Sequence, residues 1–288
     1  MKMMDRRTFC KKGISWLCYS ILTTSVGYIY ARYIEPTMLK VSYHTLSSPL
    51  LGSGLENIKI VQFSDCHLGY HYSLSQLDAV VKKVNEQHPD IIIFTGDLID
   101  DQQSYNETEQ IAPILRRMQS SLGKFAIYGN HDHGGYGTDI YAQIIQEAGF
   151  QLLQNEEKRI RLINGSEIAL IGIDDIMLGH PKIEQTLRKA KGQVYTILLV
   201  HEPDVAPTIA NYPIHLQLSG HSHGGQVQLP YFGPIITPPL AQKYVEGFYH
   251  LAGKYPLTIY VNRGLGTTRV PFRFLAKPEL TVFNLYPL

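Results

Sequence analysis

The sequence predicts an α/β fold, and three observations carry that prediction. Short, β-rich apolar runs alternate with segments of helical periodicity from residue 58 onward. Hydrophobic residues make up 44% of the 288 and charged residues 18%, which excludes a disordered, collagen-like or coiled-coil chain and supplies a sizeable core. No internal repeat or low-complexity linker divides residues 36–288, so they are expected to form one domain behind an N-terminal segment of residues 1–35.

The expected strands are Ile58–Ser64, Ile91–Thr95, Phe125–Tyr128, Ile168–Ile173, Tyr195–Val200, His215–Ser219 and Leu257–Val261, each about one strand long. Residues 36–57 read as an extended lead-in or first strand. Between the first two runs, Ser73 can cap a helix in which Leu74, Leu77, Val80, Val81 and Val84 recur at helical spacing before Pro89. Weaker helical patterns cover roughly 107–119, 138–149 and 182–191. The segment Gln226–Pro239, rich in Pro and Gly, reads as a long loop.

The N-terminal segment begins with Lys2, Arg6, Arg7, Lys11 and Lys12 against Asp5 alone, followed by the charge-free run Ile14–Ala31. Two readings stand open: a twin-arginine-type export signal, carried by Asp5-Arg6-Arg7-Thr8-Phe9-Cys10-Lys11, or an uncleaved membrane anchor. Eighteen residues is about the minimum for a membrane-spanning helix. Both readings keep the basic end in the cytoplasm and place the body on the outer face of the cytoplasmic membrane or in the cell wall. Tyr28, Tyr30 and Tyr33 read either as an interfacial aromatic belt or as flanks of a cleaved signal. From residue 32 onward there are 21 basic and 24 acidic side chains, a net charge of −3. Such a body is a poor non-specific binder of nucleic acid, because that binding depends on neutralising phosphates with Lys and Arg. Cys66 is the only cysteine beyond the N-terminal segment, so the body has no internal disulfide to form.

The informative residues stand where the runs end. The first run leads into Asp65-Cys66-His67, the second into Gly96-Asp97, and the third into Gly129-Asn130-His131-Asp132. Tyr195–Val200 leads into His201, and His215–Ser219 into Gly220-His221-Ser222-His223. In α/β folds the site lies beyond the carboxyl ends of strands, so these blocks can converge. Taken singly, each Asp, Asn or His is more often a turn, cap or locally bonded residue. Together they supply the carboxylate, amide and imidazole ligands that a pair of divalent cations needs, with open positions for water and substrate. Asp65 and His67, like His221 and His223, are two residues apart and are expected to point the same way from extended chain ends. Glycines 96, 129 and 220 allow close approach of the backbone.

These five blocks in this order resemble the calcineurin-like metallophosphoesterase family over about residues 58–223, with Asn262–Gly266 and Phe272–Phe274 also family-like. With the N-terminal signal, the chain is most similar to the exported bacterial branch containing YkuE-like and YaeI-like proteins, related to UDP-2,3-diacylglucosamine hydrolases. The resemblance implies a four-layer sandwich of two mixed β-sheets flanked by helices, with the site at one edge. It further implies two divalent metal ions (Mn, Fe or Zn), one held by Asp65, His67, Asp97 and His223 and the other by Asn130, His201, His221 and the bridging Asp97. His131 would face the substrate and stabilise or protonate the leaving oxygen, with Asp132 orienting its ring. A metal-bridging hydroxide would attack phosphorus.

The implied activity is that of a phosphodiesterase or pyrophosphatase acting on an envelope phosphodiester or a lipid-linked nucleotide sugar. The implied partners are that substrate, the twin-arginine export machinery, and the membrane if the N-terminal segment is uncleaved; no nucleic acid is expected. The alternatives are a catalytically inactive metal-binding interaction scaffold on the same fold and a cytoplasmic nuclease or protein phosphatase of the same family. His133 reads as a rim residue touching substrate, and Arg263, with Arg269 and Arg273, as a phosphate-binding candidate, against the plainer reading of solvated arginines. Asp174-Asp175 reads as a turn or rim rather than a third metal position. Cys66 is expected to point into the core. Tyr231, Phe232, Ile235, Ile236 and Leu240 are either packed on the domain or form a lipid-facing lip.

Overall fold

Side-chain alternation along the strands sorts the core into three layers. A computed structural model describes residues 6–133 and 139–288; Lys2 and Asp5 of the N-terminal segment, and Gly134-Gly135 beside the histidine-rich turn, lie outside the described residues. One sheet holds β1 (Lys40–Ser48), β2 (Lys59–Phe63), β3 (Ile91–Phe94), β4 (Gly123–Ala126), β5 (Gln151–Leu152) and β14 (Glu279–Pro287), in the order β1-β14-β2-β3-β4-β5. The other holds β6 (Glu156–Arg161), β7 (Glu167–Gly172), β8 (Tyr195–Leu199), β9 (Leu216–Ser219), β12 (Gly247–Leu251) and β13 (Leu257–Val261), in the order β12-β13-β9-β8-β7-β6. Both sheets are mixed: β14 runs antiparallel to β2, and the outer strands β6 and β12 run antiparallel to their neighbours. A small hairpin, β10 (Gln228–Leu229) with β11 (Gly233–Pro234), stands apart from both.

The described helices are α1 (Arg6–Ile29), α2 (Leu74–Asn85), α3 (Thr108–Arg116), α4 (Asn130–His133), α5 (Asp139–Glu147), α6 (Ile183–Leu187) and α7 (Ala206–Ile209). Because successive strand residues face opposite sides, Ile60, Ile91 and Ile93 pack between the sheets against Leu170, Ile197 and Leu218. Their neighbours Val61, Ile92 and Phe94 pack outward against Val81 of α2, Leu115 of α3 and Ile145 of α5. Leu198 and Ile259 pack against Leu187 of α6 and Ile209 of α7 on the far side. The result is the four-layer arrangement of helices, sheet, sheet and helices. Replacing Ile93, which is wholly buried, by Ala would cost about 2–5 kcal/mol through lost transfer energy and the cavity left behind. Ser73 caps α2 in a reciprocal box, its hydroxyl accepting from Gln76 N while Gln76 Oε1 accepts from Ser73 N at 2.9 Å.

The N-terminal region departs from expectation in two ways. Among the described residues no helix is long and apolar enough to cross a membrane; the uncharged run in α1 is diluted by Ser15, Ser20, Thr23, Thr24 and Ser25. The folded body also begins before residue 36. The Ala31 carbonyl accepts from Arg273 N at 2.9 Å, and the buried Glu35 carboxylate accepts from Ala276 N at 2.6 Å.

Candidate metal centre

The parallel strands β2, β3 and β4 of one sheet and β8 and β9 of the other end at a common edge, and their following loops meet there. Asp65 and His67 follow β2, Asp97 follows β3, Asn130 and His131 begin α4 after β4, His201 follows β8, and His221 and His223 follow β9. Three sets of side chains have ligand atoms within 4.8 Å of one another: Asp65, His67 and His223; His67, Asp97 and His131; and Asp97, His201 and His221. Asp97 Oδ2 lies 3.4 Å from His67 Nε2 and 3.2 Å from His201 Nε2, between the two imidazoles that belong to opposite sets. Asp65 Oδ1 lies 3.3 Å from His223 Nε2, which stands 3.0 Å from His67 Nε2. The Asn130 Oδ1 atom is buried with no hydrogen-bond partner, as is His201 Nε2.

The extended-chain argument for D-x-H and H-x-H is corrected by the backbone. Asp65, His67, Asp97, His221 and His223 all adopt positive φ, at 52°, 48°, 61°, 67° and 52°. Non-glycine residues rarely occupy this region, at a cost of order 1–3 kcal/mol each, and such strain persists where the surroundings over-determine it. The convergence comes from tight left-handed turns. Gly96, at φ +95°, is required because a Cβ there would collide with the backbone of Gly129, and a Cβ on Gly129 would collide with the Asp97 carboxylate.

The imidazoles are oriented from behind. His67 Nδ1 donates to Asp100 Oδ1 at 2.9 Å, His201 Nδ1 to the Thr95 carbonyl at 2.6 Å, and His221 Nε2 to the Pro239 carbonyl at 2.9 Å. In each ring the second nitrogen is left with its lone pair directed into the cluster, the arrangement that fixes a histidine as a metal ligand. Burial, then the neighbouring His201, pushes His221 down to about 4, and burial with His67 beside it holds His223 well below the usual imidazole range, so both keep free lone pairs. Burial opposes ionisation of Asp97, yet His201 and His131 beside it hold its carboxyl well below the usual range. Burial likewise disfavours a charged His201, but Asp97 and Asp65 raise it far above the ordinary value. Buried carboxylates and imidazoles that draw positive charge to one point, together with two orphaned ligand atoms, fit a pair of divalent cations.

Several expectations fall elsewhere. Asp132 does not orient His131: its carboxylate accepts from Asp97 N, Leu98 N and Gly129 N at 2.7, 2.9 and 2.8 Å, bracing the two loops that carry Asp97 and Asn130. Burial and the Asp97 charge push Asp132 up to about 7. The His131 ring is held instead by the Asp100 carbonyl, 2.6 Å from Nδ1. His133 is turned away, its Nε2 bonded to Asp174 Oδ1 at 2.7 Å and its ring against Tyr128. Asp174 also accepts from His180 N, and Asp175 from Gly179 N, as turn residues do. Arg263 is occupied by Glu246 and Glu279 at 3.4 and 3.2 Å and does not line the cleft over the cluster. Arg273 is fully buried, with donors spent on the carbonyls of Gly266, Ala276 and Arg263, so it clamps backbone rather than phosphate. Of the three arginines only Arg269 reaches the cleft. Cys66 packs in the core, and burial raises its thiol well above the ordinary value.

Sequence reasoning missed Asp100, whose carboxylate also accepts from Thr268 Oγ1 at 3.0 Å. Its signal was present: it stands three residues after Asp97, past the same strand. Missed too was Gln102, whose amide holds the carbonyls of His131 and Asp132 at 3.2 and 2.8 Å.

The blocks that build this cluster fall within residues 58–225, which match the family model described as calcineurin-like phosphoesterase. The chain belongs to that family. Members are hydrolases that use a dinuclear divalent metal centre. The chain is 49% identical over 285 residues, 99% of each chain, to YkuE of Bacillus subtilis (strain 168), which bears the name uncharacterized metallophosphoesterase. It is 27% identical to phosphodiesterase YaeI of Escherichia coli (strain K12), covering 98% of this chain and all of that one. It is 26% identical to the UDP-2,3-diacylglucosamine pyrophosphatase LpxG of Chlamydia trachomatis serovar D, covering 96% and 98%.

Proposed function

We propose that this metallophosphoesterase is exported and hydrolyses a phosphodiester or pyrophosphate bond in an envelope molecule, with a lipid-linked nucleotide sugar as the leading class. The carrying observation is the cleft of about 450 Å³ whose floor includes Asp97, Asn130, His131, His221 and His223 and whose walls include Ile235, Ile236, Pro238, Val270 and Phe272. A polar floor beneath apolar walls suits a phosphate that carries a greasy substituent. The names of YaeI and LpxG support the bond type, and the Arg6-Arg7 segment supports export through the twin-arginine machinery.

In this reading Asp65, His67, Asp97 and His223 would hold one cation, while Asn130, His201 and His221, with Asp97, would hold the other. Two such cations would supply neutralisation of phosphoryl charge and a lowering of water's pKa toward neutrality. The chain supplies the rest. His131 lines the cleft with Nδ1 fixed by the Asp100 carbonyl, which leaves Nε2 to face substrate. Burial opposes its protonation, while Asp97 and the Asp100 carbonyl raise its pKa and so favour the form whose Nε2 can give a proton to the leaving oxygen. Asp132 and Gln102 keep the Asp97 and His131 loops in register. Arg269, at the rim, is placed to meet a second phosphate of a pyrophosphate.

The test uses the full chain, stripped and reloaded with Mn, and compares bis-p-nitrophenyl phosphate with p-nitrophenyl phosphate. Preferred cleavage of the diester, lost in Asp97→Asn together with metal stoichiometry, is the expected result. Two bound metals with no cleavage of either ester would sink the diesterase reading and favour a selective pyrophosphatase or a non-catalytic scaffold.

A further inference from the structure

The apolar residues outside the core are not scattered. The hairpin β10–β11 exposes Tyr231 and Phe232 at its tip, at 105% and 86% of full exposure, with Ile236 just beyond at 74%. Its backbone is closed by its own pairing, so the tip is not an unfinished piece of the interior. No charged side chain occurs from Gly224 to Gln242. A second segment, Val270–Leu275, lies alongside, joined to the hairpin by the bridge between Val227 and Phe274.

The uncharged end of α1 roots in this same place. Tyr28 packs edge-on to Phe272 with ring centres 5.5 Å apart, Tyr30 packs on Phe274 at 6.1 Å, and Ala31 is tied to Arg273 N. The exposed apolar side chains of α1, including Trp16, Leu22 and Val26, continue the surface toward the basic end of the chain. Ile235, Ile236, Val270 and Phe272 belong both to this surface and to the cleft wall. Contiguous exposed apolar surface of this extent marks a binding site, and three features select the occupant. The surface is continuous with the uncharged C-terminal part of α1, residues 14–29, whose other end is basic. It carries tyrosines at its boundary, the residue type that favours the interfacial layer of a bilayer. The exposed cation Arg269 stands at its edge, where a long side chain reaches headgroup phosphates.

We propose that the β10–β11 tip, Val270–Leu275 and the root of α1 form one surface that seats in the interfacial layer of a lipid bilayer. The cleft then opens onto the membrane, and a substrate's lipid chain passes between the hairpin and Val270–Phe272 to bring its phosphate to the metal floor. The substrate half rests on the hydrolytic reading above; the seating does not.

The experiment uses the full chain with Trp16, its sole tryptophan, replaced by Phe and with Phe232→Trp added, so that the only indole stands at the hairpin tip. It is bound to vesicles of phosphatidylcholine and phosphatidylglycerol whose acyl chains are brominated. Seating predicts a blue-shifted emission quenched by the bromines. A companion Tyr231→Ser/Phe232→Ser chain should keep its rate on bis-p-nitrophenyl phosphate yet lose about tenfold or more on a vesicle-borne lipid diester. Vesicle-bound protein whose introduced indole stays unquenched would overturn the proposal, as would shielding of that indole by a second copy in a lipid-free dimer, or equal losses on both substrates. If the unaltered chain cleaves no ester, the diesterase reading fails, and the quenching still decides the seating.

Discussion

Asp100 offers the sharpest test of how the centre is held. Its carboxylate is the acceptor for His67 Nδ1–H, and its side chain is 21% exposed, so little water reaches the bond. In Asp100→Ala that N–H loses its partner, and the ring gains by moving the proton to Nε2, the atom that faces Asp65, Asp97 and His223. A hydrogen bond to a charged group contributes roughly 1.5–3 kcal/mol, which at about 1.4 kcal/mol per decade is about ten- to a hundredfold in affinity. The loss should fall on the cation nearest His67, because His201 and His221 are oriented by Thr95 and Pro239. Chelator-buffered Mn titrations should therefore resolve one weakened site and one changed less than about threefold. Saturating Mn should restore much of the turnover, since the main-chain carbonyl that positions His131 survives the substitution. Unchanged affinity at both sites, or equal losses at both, would refute this account of His67.

Asp132→Asn replaces a carboxylate accepting three backbone N–H bonds by an amide whose oxygen can serve two of them while its NH₂ opposes the third; the expected loss is about 2–4 kcal/mol, read as a fall in Tm of roughly 4–16 °C. Gly129→Ala should abolish tight metal binding by displacing the Asp97 carboxylate while the sheets still form; near-native metal stoichiometry would contradict the close-approach argument. Burial opposes both charges of the His133–Asp174 pair, yet their hydrogen bond raises His133 and lowers Asp174. The His133 contribution is full below the unfolded imidazole pKa and fades as pH rises through the folded one. The Asp174 contribution is full above the unfolded carboxyl pKa and fades as pH falls through the folded one. The stability deficit of His133→Phe in urea should therefore be greatest in mildly acidic buffer and shrink on either side; a deficit independent of pH would speak against the pair.

The sequence was most legible where one side chain could have only one neighbourhood. All seven apolar runs became strands because an uninterrupted run such as Ile91–Phe94 must be covered on both faces. Of the edge strands, β1 falls within the extended lead-in expected for residues 36–57, whereas β5, β6 and β12, and the interior β14, were not legible. The run of charges in β6 conceals a strand whose Arg159 and Arg161 pair across to Glu167 on β7. At the centre, block order located the seven ligand candidates, since spacing after a strand decides position. It could not assign second partners, which depend on where a side chain points. Asp132 was therefore credited with the bond that the Asp100 carbonyl makes, and Arg263 and Arg273 with a substrate contact that Glu246, Glu279 and backbone carbonyls pre-empt.

The pairing of β14 between β1 and β2 dictates an order of assembly. Lys40 is in register with Glu279 and Thr281 with Gln62, so the last strand in sequence is an interior strand of the first sheet. Just upstream of it, Leu265 N and Gly266 N bond to the Asp65 carbonyl and hold the left-handed turn on which Asp65 and His67 stand. A chain lacking Glu279–Pro287 would present two bare strand edges and lose the bond from Glu279 N to the Gly264 carbonyl that steadies the segment behind the Asp65 turn. Contacts so distant in sequence form late and slowly. Capture of both ions is thereby tied to the docking of β14: the turn bearing Asp65 and His67 is firm when the segment behind it is pinned by Glu279.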